Sequence, residues 1–186
     1  MKNKILKFSI VAIIIVIFIV ILSSIFLKNF IYKNEYLDII ESKTKDYYVD
    51  PYLVLSVIKA ESNFDKDATS HKEAYGLMQL LHSTAKEVNE EVALANDLQV
   101  NDLYNEEVNI ILGTKYISNL IKYYNGNYHL ALCAYNAGCG NVDKWIEQGI
   151  IDKDFSDKEA EKIPYNETKN YIKRVINNYK MYKILY

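Results

Sequence analysis

The chain has 186 residues, half of them apolar, which is enough for one domain with a buried core plus appendages. Its 22 Lys and Arg nearly balance its 24 Asp and Glu, but five lysines and no acid lie in residues 1–33. The remainder therefore holds 17 basic against 24 acidic residues, a formal charge of −7 that excludes nucleic acid as a partner, because phosphates require a cationic face.

Residues 8–27 carry no charge and are dominated by Ile and Val. A helix of that length spans roughly 30 Å, the thickness of a bilayer's hydrocarbon core. A cleaved signal peptide would be shorter and would end in a small-x-small site. Here Ser23-Ser24 runs on into Ile25, Phe26 and Leu27. The sequence thus predicts a cytoplasmic N-terminus over 1–7, a single-pass signal anchor over 8–27, a polar linker over 28–34 and a globular domain over 35–186. Lys28, Lys33, Lys43 and Lys45 offset Lys2, Lys4 and Lys7, so charge alone leaves the orientation open.

The globular part reads as helices joined by short turns, an all-α domain. A first helix is expected over 35–46. Asp50-Pro51 then supplies an N-cap and a first helical residue, opening a helix through Leu53, Val54, Val57, Ile58 and Glu61. A further helix is expected from Ser83-Thr84, where Thr84 and Glu87 have capping-box spacing. The longest helix is placed at 106–124, with Val108, Ile111, Leu112, Tyr116, Ile117, Leu120 and Ile121 in register, and Asn125-Gly126 ending it. Short helices follow over 128–135 and 142–147. The last is expected over 167–182, with Asn166 as its N-cap.

Cys133 and Cys139 are too few for a disulfide framework and have no His pair beside them for zinc. They read as two small buried residues or as one local disulfide. The sequence offers no metal-ligand set and no cofactor motif. His71, His82 and His129 read as surface or loop residues. Tyrosine, with 17 copies, joins an apolar body to a polar tip, which suits a sugar-binding cleft; the same enrichment fits a compositional bias of the genome.

Glu61 lies three, four and seven residues after Ile58, Val57 and Val54, so its carboxyl shares their face of the helix. Burial beside apolar groups raises a carboxyl pKa. An acid still protonated near neutral pH is what protonation of a glycosidic oxygen needs. From pattern alone the bland reading is the commoner one: a glutamate at the end of an apolar stripe usually reaches to solvent or caps a neighbour.

Four segments occur in order: Glu61-Ser62-Asn63-Phe64, Gly76-Leu77-Met78-Gln79-Leu80, Ala134-Tyr135-Asn136-Ala137-Gly138, and Ile163-Pro164-Tyr165-Asn166-Glu167-Thr168 with Tyr171 beyond. This set resembles the catalytic domain of soluble lytic transglycosylases, a lysozyme-like fold related to goose-type lysozyme, over about residues 36–182. The resemblance implies that Glu61 is the single catalytic acid/base. Ser70 and Gln79 would line the sugar cleft. Tyr135 would reach toward the catalytic carboxyl beside Asn136, and Glu167 and Tyr171 would close the cleft from the last helix. Three positions depart from the family pattern: Leu81 replaces a methionine, Glu73 a common glycine and Cys139 a common proline. Met78 reads as core.

The implied substrate is the peptidoglycan glycan strand, with the membrane as second partner through the anchor. The implied location is the wall side of the cell membrane. The implied reaction is cleavage between N-acetylmuramic acid and N-acetylglucosamine with closure of a 1,6-anhydro ring. It needs no cofactor and serves wall remodelling or local wall opening. A hydrolytic muramidase of the same fold would need a second carboxylate, for which Asp65, Asp67 and Glu73 are nearby in sequence. A non-catalytic peptidoglycan-binding module of an envelope machine is the third reading. The sequence specifies no protein partner.

Overall fold

The computed structural model describes residues 2–186, with side chains from Lys7 onward. Met1 and the side chains of Lys2 and Lys4, part of the expected cytoplasmic flank, lie outside the described residues. The first helix, α1 (Lys2–Phe26), stands clear of the globular part, and its apolar side chains from Phe8 to Phe26 face outward. The stretch apolar enough to cross a membrane runs over Lys7–Ile31, 25 residues, or about 37 Å at 1.5 Å per residue.

The helix does not end at Leu27. It widens into a π-helical turn, Leu27–Ile31, closed by the Tyr32 N–H donating to the Leu27 carbonyl at 2.7 Å. Of the linker expected over 28–34, residues 28–31 are therefore helical. The rest is held to the domain, because the Tyr182 hydroxyl donates to the Lys33 carbonyl at 2.8 Å.

The domain is mostly helical. α2 (Leu37–Tyr47) begins after Tyr36 in a left-handed conformation. α3 (Pro51–Glu61) is capped as its sequence predicts: Asp50 Oδ1 accepts from the Tyr52 N–H at 2.9 Å, with Pro51 in the first position. Six consecutive residues, Leu53 to Ile58, are buried, so α3 is enclosed on nearly all sides and is the central helix of the domain. It packs along α8 (Asn166–Leu185) and against α2. α5 (Glu106–Tyr123) and α6 (Tyr128–Ala137) pair beside them, and α7 (Cys139–Glu147) follows α6.

Several sequence expectations need correction. A short antiparallel pair, β1 (Ala74–Tyr75) with β2 (Leu80–Leu81), interrupts the all-α pattern, in the register Ala74↔Leu81 and Tyr75↔Leu80. α4 (His82–Val92) springs directly from β2, so Thr84 already lies inside the first turn and forms no capping box. α8, with 20 residues, is longer than α5 with 18, and Tyr165 rather than Asn166 occupies its cap position.

Both cysteines are free. Cys133 is buried on α6, whereas Cys139 is the first residue of α7, a position for which proline's fixed φ is suited. His129 is a helical, half-buried residue, because the first turn of α6 packs beside Asp157 and the 3₁₀ segment Asp157–Lys162.

One buried side chain ties the β pair to the core. Asn109 on α5 accepts from the Met78 N–H at 2.8 Å and donates to the carbonyls of Tyr75 and Leu103 at 2.9 and 2.8 Å. Gly76 lies against it with φ +74°, where a Cβ would stand 2.2 Å from the Leu103 carbonyl oxygen.

Candidate active site

Glu61 is the last residue of α3, at the helix's negative pole, where a further negative charge is disfavoured. Burial is the main cause of a pKa raised to about 7. The Tyr171 hydroxyl and the Arg174 guanidinium, both on α8, pull the other way, and the Glu167 carboxylate adds to the rise. Desolvation outweighs them all.

Tyr171 is 1% exposed. Its hydroxyl lies beside the Glu61 carboxyl, yet it makes no fully formed hydrogen bond. A buried donor without a partner is costly, and here it faces the group whose charge changes. Tyr135 is also close enough to be affected by the Glu61 charge, but its hydroxyl donates to the Met78 carbonyl at 2.8 Å. The tyrosine directed at the carboxyl is therefore Tyr171, and Tyr135 is a wall of the cleft fastened to the β loop.

Glu61 opens into a cavity of about 230 Å³, lined with Ser70, Gln79, Tyr135, Asn136 and Glu167 among others. A second hollow of about 250 Å³ shares Gln79, Leu81, Tyr135 and Asn136 with the first, so the two form one groove. Its polar groups are held in place. Gln79 Nε2 donates to the carbonyls of Ala68 and Gly76, which leaves Oε1 to meet a ligand. Ser70 Oγ accepts from the N–H groups of Lys72 and Ala74, so its proton is available for donation. Asn136 Oδ1 accepts from Thr168 at 2.7 Å.

The structure thus gathers Glu61, Ser70, Gln79, Tyr135, Asn136 and Glu167 at one groove, with Tyr171 beneath it. It also adds residues that the sequence reading left out. His71 and Lys72 line the same cavity, and Lys72 Nζ bridges to both Glu167 carboxylate oxygens at 2.9 and 2.7 Å. Their only sequence signal was adjacency to Ser70. Asp65, Asp67 and Glu73 do not line the groove. Glu167 is the one other carboxylate among the described residues that does.

The loops that carry the groove residues are strained. Asn63, Phe64, Glu73 and Gln79 all have left-handed φ between +49° and +69°, a conformation that costs non-glycine residues on the order of 1–3 kcal/mol each. The +58° at Glu73 explains why a glycine suits that position.

A larger cavity of about 640 Å³ lies between the α5–α6 turn and α7, and no candidate site residue lines it. The perturbed carboxyl lies in the groove instead. No group of three or more His, Cys, Asp or Glu suited to a metal ion occurs among the described residues.

Residues 38–158 match the family model described as the transglycosylase SLT domain, and the chain belongs to that family. It is 29% identical to the membrane-bound lytic murein transglycosylase C of Edwardsiella ictaluri, over 81% of this chain and 47% of the relative. Among solved structures it is similar to the lytic transglycosylase Slt of Pseudomonas aeruginosa, crystallised as an inactive Glu-to-Gln mutant. The TM-score there is 0.72 at 31% identity, covering 81% of this chain and 24% of that one. The 70-kDa soluble lytic transglycosylase of Escherichia coli gives 0.75 at 25% identity, covering 82% and 25%. The chain spans between about a quarter and a half of these relatives.

Proposed function

We propose that this chain is a membrane-anchored lytic transglycosylase of peptidoglycan, with Glu61 as its only acid/base. The observation that carries the proposal is a carboxyl with a pKa of about 7 opening into a sugar-sized groove. Protonated Glu61 donates to the oxygen joining N-acetylmuramic acid to N-acetylglucosamine, and positive charge develops at C1. The ionised carboxylate, favoured by Tyr171 and Arg174, then takes the proton of the 6-hydroxyl as that oxygen attacks C1. The anhydro ring closes and no water is consumed. A nucleophile tethered in the substrate has a large effective concentration, so one carboxyl suffices. A pKa near the working pH serves both halves of the cycle.

Hydrolysis would require a second carboxylate placed to activate water. Glu167 is the candidate in the groove, and Lys72 holds both its oxygens. This favours the intramolecular route. The family neighbour inactivated by a Glu-to-Gln change supports a glutamate at the centre. The membrane-bound relatives and the Lys7–Ile31 helix support a single-pass anchor with the domain on the wall side.

Mass spectrometry of digested peptidoglycan tests the reaction: anhydro-muramic ends, one water lighter than reducing ends, are expected. Reducing ends alone would establish hydrolysis. Glu61→Gln should abolish lysis while retaining glycan binding, and full lysis by that variant would remove Glu61 from the mechanism.

A further inference from the structure

The segment between the apolar helix and the domain is packed, not free. The Tyr186 hydroxyl donates to the carbonyls of Tyr32 and Lys28 at 3.0 and 3.4 Å, and that of Tyr182 to Lys33. The Tyr32 ring meets Tyr182 edge-on at 5.5 Å, and Tyr186 stacks on Tyr182 and Tyr52 at 6.1 and 6.4 Å. Lysines cover these rings. Lys28 lies 4.7 Å from the Tyr186 centroid, and Lys59 and Lys183 lie 5.3 Å from those of Tyr32 and Tyr52. The acids paired within this collar are Glu35, with Lys33, and Asp50, with Lys183. Four lysines against two acids leave it cationic. At the same end Phe30 and Ile184 are 67% and 75% exposed, with no role in the core.

Tyrosines, lysines and exposed apolar side chains at the end of a membrane-length helix have the composition of a bilayer interface. Tyrosine rings sit at headgroup level and lysines are drawn to anionic lipid. We infer that residues 28–33 form a dock, not a tether. The tyrosine–lysine collar seats the C-terminal end of α8 in an anionic headgroup layer, and α8 holds the cleft at a fixed height above it. This rests on the proposed membrane insertion of Lys7–Ile31.

The geometry sets the height. α8 runs from the cleft, at Tyr171, to the collar, at Tyr186. Fifteen residues at 1.5 Å place Glu61 no more than about 22 Å beyond the collar. A free seven-residue tether would add up to roughly 24 Å of reach, so the two arrangements differ by about a factor of two in the depth of wall attacked.

The test uses the full chain in phosphatidylglycerol nanodiscs, with Cys139→Ser to leave only buried Cys133. Spin labels at Ser23→Cys and Asp65→Cys should give one narrow distance distribution. Tyr32→Ala with Tyr186→Ala should broaden it. A broad distribution in the parent chain would overturn the dock. Fluorescence of Ile184→Trp should be quenched by headgroup-labelled lipid, and absence of quenching would overturn the seating of the collar. Failure of the chain to elute with the nanodiscs would instead remove the membrane insertion on which the inference rests.

Discussion

Replacing the candidate acid should make the protein more stable, and only above about pH 4.5. The Glu61 carboxyl titrates at about 7 in the folded chain against 4.5 when unperturbed. Below pH 4.5 it is protonated in both states and contributes no difference. Between 4.5 and 7 the unfolded chain ionises while the folded chain keeps its proton, so folding loses about 1.4 kcal/mol per pH unit. Above pH 7 the loss is complete, at about 3 kcal/mol for the gap between 4.5 and about 7. The carboxamide introduced by Glu61→Gln does not titrate, so that variant should gain this amount over the parent between pH 4.5 and 7 and hold it beyond. For a chain of this size, the gain corresponds to a Tm difference of roughly 6–12 °C at about pH 8. The assay is thermal unfolding of the full chain in mild detergent from about pH 4 to about pH 9, followed by fluorescence of Trp145, the sole and buried tryptophan. Titrating groups that are not coupled to Glu61 cancel in the comparison. A constant Tm difference across that range would refute the argument that burial holds the proton on Glu61.

Tyr171→Phe removes the hydroxyl that favours ionised Glu61, so the alkaline limb of kcat/KM should move to higher pH. Stability should hold or rise, because a buried hydroxyl without a full partner costs about 1–3 kcal/mol. Lys72→Ala breaks an exposed ion pair and should change stability by less than about 1 kcal/mol, while KM for sacculi rises as the two groove walls come apart. Glu73→Gly should relieve left-handed strain and raise Tm by an amount equivalent to about 1 kcal/mol. Asn109→Ala leaves one N–H and two carbonyls without their partner. At about 1–3 kcal/mol for each buried orphan, thermal melting should show a loss of more than about 3 kcal/mol.

Much of the site was legible because its residues sit at fixed places relative to helix ends. Asp50-Pro51 announces α3, and the apolar spacing of Val54, Val57 and Ile58 sets the half-buried Glu61 on the inner face at its end. The ordered motifs then identified Gln79, Tyr135, Asn136 and Glu167, which the fold gathers at one groove. What escaped depended on contacts between distant segments. His71 and Lys72 line the groove only because the loop folds back toward the first turn of α8. The reach of Tyr135 to the Met78 carbonyl, rather than to Glu61, is a tertiary choice that no local pattern encodes. Asn109 falls within an apolar helical stripe, where its polarity gave no hint of the three backbone groups it satisfies. The helical continuation through Ile31 was hidden for a different reason: Lys28 and Asn29 read as polar linker, while Tyr186, whose hydroxyl holds it, lies more than 150 residues away.

The carboxamide of Asn109 also constrains how this chain can change length. It grips Tyr75, Met78 and Leu103 at once. An insertion or deletion between 75 and 78 would pull one grip out of register with the next. The turn after α4 is held in the same way, because Asn89 accepts from the N–H groups of Leu94 and Ala95 and donates to the Ala95 carbonyl. Relatives of different size should therefore keep the spacing from Gly76 to Gln79, and from Asn89 to Ala95, unchanged.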